Sequence, residues 1–476
     1  MRRLNQDAAV PASCPAERRH LLALFAVVAT IYFATFAGVT ASNDGSHYAL
    51  VRALVGRRSF EISPYLSFTE QQDFATGPAG RYSDRPPGTA IWAAPFYALA
   101  RLLPGPLVEP PSKHDRGNPR LLGVGAATAV AGAGAVALFW LLLRRRFGRS
   151  LFASGLAALA LALGTSTWKY GSVLYSHSLS ALLVLLSLYL ALRPGRRGAL
   201  AGLLLGLALG ASVVVEYSNA LFVALVLLYL AASSRAEPAR ALLGPALALL
   251  GGLALPLAFL AFYDQVNFGC PWCVSTFQVD LQRWPNAAGM PSAFATPLAD
   301  GLVGMLWWGG NNQGLFLLSP IAWLALPGIP AMARRRRLEA ALVLGAFAAF
   351  LLLFAKSTNF NPLTNDGRYL TPFLALWLVP LAFWVDEPYL RLKSEGARLV
   401  ASLLLFGLLF LSIRNQLMHV AFSWNYDLKY GDLLNMSTPV PNITRLLGTV
   451  FPNAANVWWL WLLLAPPAAL VRWLSR

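Results

Sequence analysis

The chain has 476 residues, of which 57% are hydrophobic and only 12% charged, and it carries a formal net charge of +17. Soluble domains run at about 45–50% apolar and about 25% charged residues, so this composition excludes an ordinary soluble enzyme. A soluble chain of that charge would point to nucleic acid. Here the basic residues stand in short clusters between apolar runs, which is the pattern of membrane topology, and no nucleic-acid partner is expected.

The predicted spans, in chain order, cover residues 21–40, 121–143, 151–167, 172–192, 199–216, 218–232, 241–262, 314–332, 338–355, 368–385, 398–414 and 454–471. Most approach the length of about 20 residues that a helix needs to cross the hydrocarbon core, and several are shorter. The first run has Arg18 and Arg19 on its flank and no small-residue cleavage site after it, so it reads as a retained helix. Cys14 precedes that run, which argues against a lipoprotein signal. The stretch Thr89–Leu103 is apolar but short and contains Pro95, and as a full span it would turn Arg144, Arg145 and Arg146 outward, so it reads as an interfacial or re-entrant helix.

Dense Arg/Lys clusters occur at the N-terminus, at Arg144–Arg149, Arg193–Arg197, Arg235–Arg240, Arg334–Arg337, Arg391–Arg398 and Arg472–Arg476. Placing all of them in the cytoplasm gives an all-α polytopic membrane protein of about twelve transmembrane helices with both termini inside. The segment 41–120 then becomes one long outer loop carrying interfacial helices, and 263–313 and 415–453 are further outer segments. Most of the 21 carboxylates fall on the outer side, so the functional residues are expected there. Three cysteines are too few for a disulfide framework. Cys270-Pro-Trp-Cys273 reads as a local disulfide or two free thiols ahead of a redox pair. No repeat with a period of 20–50 residues is evident, and no two-half symmetry of the transporter kind.

Three sites could carry chemistry. The first is Ser42-Asn-Asp-Gly-Ser-His-Tyr48, where a restarting helix would put Asp44, His47 and Tyr48 on one face. Asp44 could take a proton from a hydroxyl at the membrane surface, or could simply cap the helix. The second is Tyr82-Ser-Asp84-Arg85-Pro-Pro-Gly88. A helix start beside a guanidinium makes an anion site, for which a lipid phosphate is at hand; the plainer reading is a Pro-Pro turn with a surface Asp84–Arg85 pair. The third is a set of polar residues at outer helix ends: His177 in Tyr-Ser-His, Glu216 after span five, and Arg368 in Asn-Asp-Gly-Arg-Tyr. Ionisable groups at that depth are costly and often functional, although His177 could be a packing residue and Arg368 could be reaching for the interface. No D-x-D, H-E-x-x-H or four-ligand Cys/His set occurs, so a cofactor is not expected and a divalent metal is not indicated. Asn435-Met-Ser and Asn442-Ile-Thr fit the N-glycosylation pattern, and Trp458-Trp459 suggests an interfacial belt.

In their order along the chain, Asn-Asp-Gly after the first helix, Tyr-Ser-Asp-Arg-Pro-Pro-Gly, the Tyr-Ser-His turn and Gly-Arg-Tyr-Leu resemble the GT-C glycosyltransferases. The likeness is to the bacterial phospholipid-carrier-dependent members, related to protein O-mannosyltransferases and the aminoarabinose transferase. Gln313-Gly-Leu-Phe-Leu-Leu-Ser-Pro-Ile321 looks like that group too. The resemblance covers residues 1–385, implying a transmembrane catalytic module there and a C-terminal set of helices in 386–476. It implies inverting transfer of a sugar from a polyprenyl-phosphate donor to a hydroxyl of a glycan, lipid or protein acceptor, on the outer face of a bacterial inner membrane. Asp44 matches the general base. Arg85 stands where relatives usually carry Lys and is implied to hold the donor phosphate, with Arg368 and Tyr82 beside it. His47, Tyr48, Asp84, His177 and Glu216 are implied to line the substrate cavity. Two other readings remain open at this point: a transporter or lipid flippase, and a glycan ligase using a pyrophosphate-linked donor.

Overall fold

The computed structural model describes residues 15–103, 118–193, 198–235, 237–309, 312–358, 367–422 and 451–464. Cys14, both N-glycosylation patterns, most of the segment 415–453 and the end of the last predicted span lie outside the described residues.

Apolar runs become helices because, in lipid, each backbone amide must find its partner within its own segment. Along the chain, α1 covers Pro15–Ala34, α2 Ser42–Arg57, α3 Gly88–Ala100 and α4 Pro119–Arg145. They are followed by α5 (Leu151–Gly164), α6 (Thr167–Gly171), α7 (Ser176–Ala191), α8 (Ala199–Val215), α9 (Asn219–Ser233) and α10 (Ala239–Phe268). Between α2 and α3 a short antiparallel hairpin pairs β1 (Ala75–Gly77) with β2 (Gly80–Tyr82). Among the described residues, five helical stretches are long and apolar enough to cross a bilayer: α4, α10, Arg337–Lys356, Arg368–Tyr389 and Glu395–Val420. Shorter apolar helices include α5, α7, α8, α9 and Ala454–Leu464. The chain is a helical integral membrane protein.

Ion pairs show which helix ends lie together. Arg145 reaches Glu17 at 3.0 Å, tying the end of α4 to the start of α1. Arg149 and Arg335 both bind Glu387, at 3.1 and 2.7 Å. Four of the basic or flanking segments thus share one end of the bundle, as the topology reading requires. The far end of α1 delivers the chain to α2, so the segment 41–120 begins at the opposite end. There α3 packs on α2 and α4 as a short helix, in keeping with the interfacial reading.

Several predicted spans differ from the structure: the first helix ends at Ala34 instead of residue 40, and two others depart further. Residues 314–332 do not form one helix. A single α-turn, Leu315–Leu318, gives way to a 3₁₀ stretch at Pro320–Gly328 and a new α-helix at Ile329–Arg335, because Pro320, Pro327 and Pro330 interrupt the hydrogen-bond ladder. The next span in contact, Glu395–Phe422, runs eight residues past the predicted end at Arg414, into what reads from sequence as an outer loop. The two departures are linked. Asn415 Nδ2 donates to the Leu317 carbonyl at 3.0 Å, Gln416 Nε2 to the Leu318 carbonyl at 3.3 Å, and the Ile321 amide donates to Ser412 Oγ at 2.9 Å. Broken backbone is tolerated at membrane depth only where neighbouring polar groups re-satisfy it, and this long helix supplies them.

The closest helix pair is α8 with α10. Gly206 faces Gly252: a Cβ at Gly206 would lie 2.1 Å from the Leu249 carbonyl oxygen, and one at Gly252 2.3 Å from that of Leu203. Small residues allow two membrane helices to touch backbone to backbone. Val214 and Val215, at the end of α8, sit against Gly88 at the start of α3, where a Cβ would be 2.7 Å from the Val214 carbonyl oxygen. This contact docks the end of α8 beside the Arg85-Pro-Pro turn. Gly206→Leu is expected to pry α8 from α10 and cost about 1–3 kcal/mol or more. A drop in the detergent melting temperature would register it. Gly251→Ala, which meets open space on α10, should leave the melting temperature unchanged or slightly raised.

Candidate functional site

The segment after α1 sets the first wall. Helix α2 starts at Ser42, following Ala41 in an extended conformation. Asp44, in its first turn, folds its carboxylate back over the entry: Oδ2 accepts from the Thr40 amide at 2.7 Å and the Thr40 hydroxyl at 3.1 Å, and Oδ1 accepts from the amides of Ala41 at 2.8 Å and Gly45 at 3.1 Å. The side chain is fully buried. Burial pushes its pKa up to about 6, with the backbone donors of Thr40 and Ala41 acting against that rise. Of the two roles open for Asp44, the carboxylate geometry is that of the helix cap.

Helical phase then decides which residues face inward. Asn43 and His47, one turn apart, border a small cavity, whereas Tyr48 turns into the core against Phe68 and Tyr97. The expectation that Asp44, His47 and Tyr48 share a substrate-facing side is therefore corrected. The actual face carries Asn43 and His47.

The second wall is the turn ahead of α3. Arg85 lies at 3.3 Å from Asp84 and 3.6 Å from Asp73. With the Asn43 amide oxygen turned toward it, the guanidinium also donates to that oxygen at 2.8 and 3.3 Å. Burial works against its charge, but Asp84 and Asp73 outweigh burial and its pKa lies above the usual arginine value. Asp84 itself is buried behind Arg85, where Ser46 Oγ donates to it at 2.8 Å. Burial pushes Asp84 up to about 6, and Arg85 holds it lower than burial alone would. The Asp84–Arg85 pair read from sequence exists, but it is an interior pair, and it aims the arginine. The Asp84 carbonyl oxygen accepts from Ser275 and Thr276, each at 3.0 Å, just beyond the Cys270–Cys273 disulfide. Of the two states open for those cysteines, the disulfide is the one found.

Tyr82 is also corrected. It packs edge-on against Phe268 with ring centroids 5.6 Å apart, in an apolar cluster with Tyr263 and Ala75, and it does not border the cavity.

The remaining walls come from helix ends. Tyr175, Ser176 and His177 stand at the start of α7, and Glu216 follows the last turn of α8. Arg368 and Tyr369 open the stretch to Tyr389, with Arg368 Nη2 donating to the Tyr369 hydroxyl at 3.1 Å and the guanidinium 5.0 Å from the Tyr369 ring centroid. Ser176 Oγ donates to Glu216 Oε2. His177 packs edge-on to Tyr170 at 4.8 Å and stands 6.1 Å from Tyr369.

The structure thus brings Arg85, Arg368, His47, His177 and Glu216 to one cavity and leaves Asp44, Asp84, Tyr48 and Tyr82 behind its walls. Asn43, Tyr175, Ser176 and Tyr369 join it without having been singled out. All four lie within two residues of one that was. Among the described residues no group of three or more His, Cys, Asp or Glu is gathered for a metal ion. Chemically, two guanidiniums beside the starts of α3 and α7 make a place for an anion, with one carboxylate facing them.

No protein-family model matches the chain, and no curated protein matches it in sequence. Among solved structures, the chain is similar to ArnT from Cupriavidus metallidurans bound to undecaprenyl phosphate. The identity is 12%, covering 96% of this chain and 79% of that one, with a TM-score of 0.50. It is also similar to the apo form of the same protein, at 13% identity over 94% and 76% of the two chains, with a TM-score of 0.49. The helical membrane fold implied by the sequence resemblance is thus shared with the first of these structures.

Two outcomes are expected. Asp44→Asn replaces one acceptor oxygen by a donor facing backbone amides, so it should destabilise the fold by about 1–3 kcal/mol, read as a lowered melting temperature. His47 is held neutral by burial, and secondarily by Arg85, with its pKa lowered to about 3. The unfolded imidazole binds a proton below about 6.5 and the folded one does not, so lowering the pH through 6.5 favours unfolding, by about 2 kcal/mol at pH 5. Melting curves at pH 7.5 and 5 should show a smaller acid loss for His47→Gln than for the unaltered protein.

Proposed function

We propose that this chain is a GT-C glycosyltransferase that moves a sugar from a polyprenyl-phosphate donor to an acceptor hydroxyl on the non-cytoplasmic face of a bacterial inner membrane. The observation that carries the reading is the meeting of Arg85 and Arg368 at one cavity lined by helix starts. A sugar phosphate leaving group gains negative charge as the glycosidic bond breaks. Donors fixed in advance where that charge develops contribute the largest electrostatic term to such a reaction. The solved structure with undecaprenyl phosphate shares this fold, which supports a lipid phosphate as the anion.

In this mechanism the prenyl tail lies in the bilayer and the phosphate meets the two guanidiniums. The acceptor oxygen attacks the anomeric carbon from the face opposite the phosphate, so configuration inverts. Asp73, Asp84 and Asn43 keep the Arg85 fork in a fixed orientation, so little reorganisation is needed when the phosphate arrives. The resemblance assigns proton removal to Asp44. The four hydrogen bonds that its carboxylate accepts support a different part: holding the entry to α2 so that Asn43 and His47 reach the cavity.

Undecaprenyl phosphate should bind the purified chain, and Arg85→Gln should weaken that binding by about 10- to 100-fold, the equivalent of a lost charged hydrogen-bond pair of roughly 1.5–3 kcal/mol. Arg85→Lys, which keeps the charge, should retain most of it. Titration in nanodiscs followed by native mass spectrometry measures both. Equal affinity for all three proteins would remove Arg85 from the phosphate site. With radiolabelled donors, acceptor-dependent release of lipid monophosphate marks the transferase, and release of lipid pyrophosphate marks a glycan ligase. Donor bound but never cleaved favours a transporter.

A further inference from the structure

A transfer to a hydroxyl needs a group to take the acceptor's proton, and we infer that this group is Glu216. The inference rests on the transferase reading above and names the proton acceptor within it. Among the described residues, four carboxylates, Asp44, Asp73, Asp84 and Glu216, stand near the two arginines, and three are already committed. Asp44 spends both oxygens on Thr40, Ala41 and Gly45. Asp84 is buried between Ser46 and Arg85, and Asp73 stands behind Arg85 at 3.6 Å. Glu216 differs on each count. Its backbone is extended (φ −152, ψ 115) just past the last turn of α8, which turns the residue out of the helix. It is half-buried and borders the cavity with Arg85 and Arg368. Its Oε2 accepts the Ser176 hydroxyl, and among the described residues Oε1 accepts no hydrogen bond.

The carboxylate therefore has one oxygen held by Ser176 and the other without a hydrogen bond among the described residues, on a residue that lines the cavity. A base must come within hydrogen-bond reach of the proton that it removes, and we assign that part to this uncommitted oxygen. Without donor, Glu216 feels both Arg85 and Arg368. A donor phosphate competes for the same guanidiniums and leaves Glu216 to the acceptor. The step balances as follows. The acceptor oxygen forms a bond to the anomeric carbon, the bond from that carbon to the phosphate oxygen breaks, and its electron pair leaves with the lipid monophosphate. The acceptor proton passes to Glu216 Oε1 and from there to water. Ser176 is a positioning residue in this scheme, acting through the carboxylate it holds.

The test uses the full chain in nanodiscs with the polyprenyl-phosphate sugar that it turns over, and Glu216→Ala and Glu216→Gln as variants. Both should bind undecaprenyl phosphate at least as tightly as the unaltered protein, since a negative charge has left the cavity. Transfer to the hydroxyl acceptor should fall about 10²- to 10⁴-fold, the usual range for loss of a general base. Azide attacks without giving up a proton. With Glu216→Ala it should restore release of lipid monophosphate and yield a glycosyl azide. Transfer at near the unaltered rate, or intact phosphate binding with no recovery in azide, overturns the role of Glu216 and leaves the transferase reading standing. If the unaltered protein releases lipid monophosphate from no donor, the transferase reading falls and this inference falls with it.

Discussion

A guanidinium held in the interior of a membrane protein must be neutralised and hydrogen-bonded, or its desolvation cost destabilises the fold by several kcal/mol. Arg85 meets that constraint through Asp84, Asp73 and the Asn43 amide, which come from three separate parts of the segment between α1 and α3. Satisfying one charge therefore organises the whole non-helical end of the bundle. Asp84 is held in turn by Ser46 on α2, and its carbonyl is held by Ser275 and Thr276 beyond the disulfide. The result is a charged fork whose direction is set before any ligand arrives. Preorganisation of this kind is what electrostatic catalysis requires.

The same logic of satisfied polar groups governs the apolar part of the molecule. The stretch Leu315–Arg335 cannot be a regular helix because its prolines break the ladder, yet it lies inside the bundle. Ser412, Asn415 and Gln416 of the neighbouring long helix complete its open backbone bonds. At the end of the bundle with the basic clusters, Arg149, Arg335, Asp386 and Glu387 form a compact ion-pair group that joins three connecting segments. Helices that share no hydrophobic drive for one another in lipid are thus tied at one end by charges, in the middle by close glycine contacts, and at the other end by the Arg85 cluster.

The cavity joins these features to chemistry. It lies where α2, α3, α7 and α8 begin or end, and where the stretch to Tyr389 starts. The positive ends of helices, two arginines and a turned-out carboxylate meet there. Membrane enzymes acting on lipid-linked substrates face a particular demand: the charged head of the substrate must find water-like partners at the edge of an apolar solvent. Helix termini at the edge of the bundle provide them without exposing backbone to lipid.

Hydropathy and charge clusters alone located most of the apolar helices, because the bilayer imposes length and apolarity on each one separately and the sequence must comply locally. They also located the short helix α3, and the motifs pointed to one neighbourhood: Arg85, Arg368, His47, His177 and Glu216 border the same cavity. What they left open was direction. Asp44 and Asn43 are adjacent in sequence, and only the way the chain enters α2 turned one into a cap and the other into a cavity wall. Tyr48 and Tyr82 carry a polar tip on an aromatic body, so composition allowed either role, and packing against Phe68, Tyr97 and Phe268 chose the core. The broken helix at Leu315–Arg335 and the extension of its neighbour past Arg414 were equally hidden, since each exists only because the other satisfies it. The sequence by itself thus determined what the bilayer demands of each segment in isolation. The tertiary structure decided which side chain faces which, because helix phase and shared hydrogen bonds are properties of pairs.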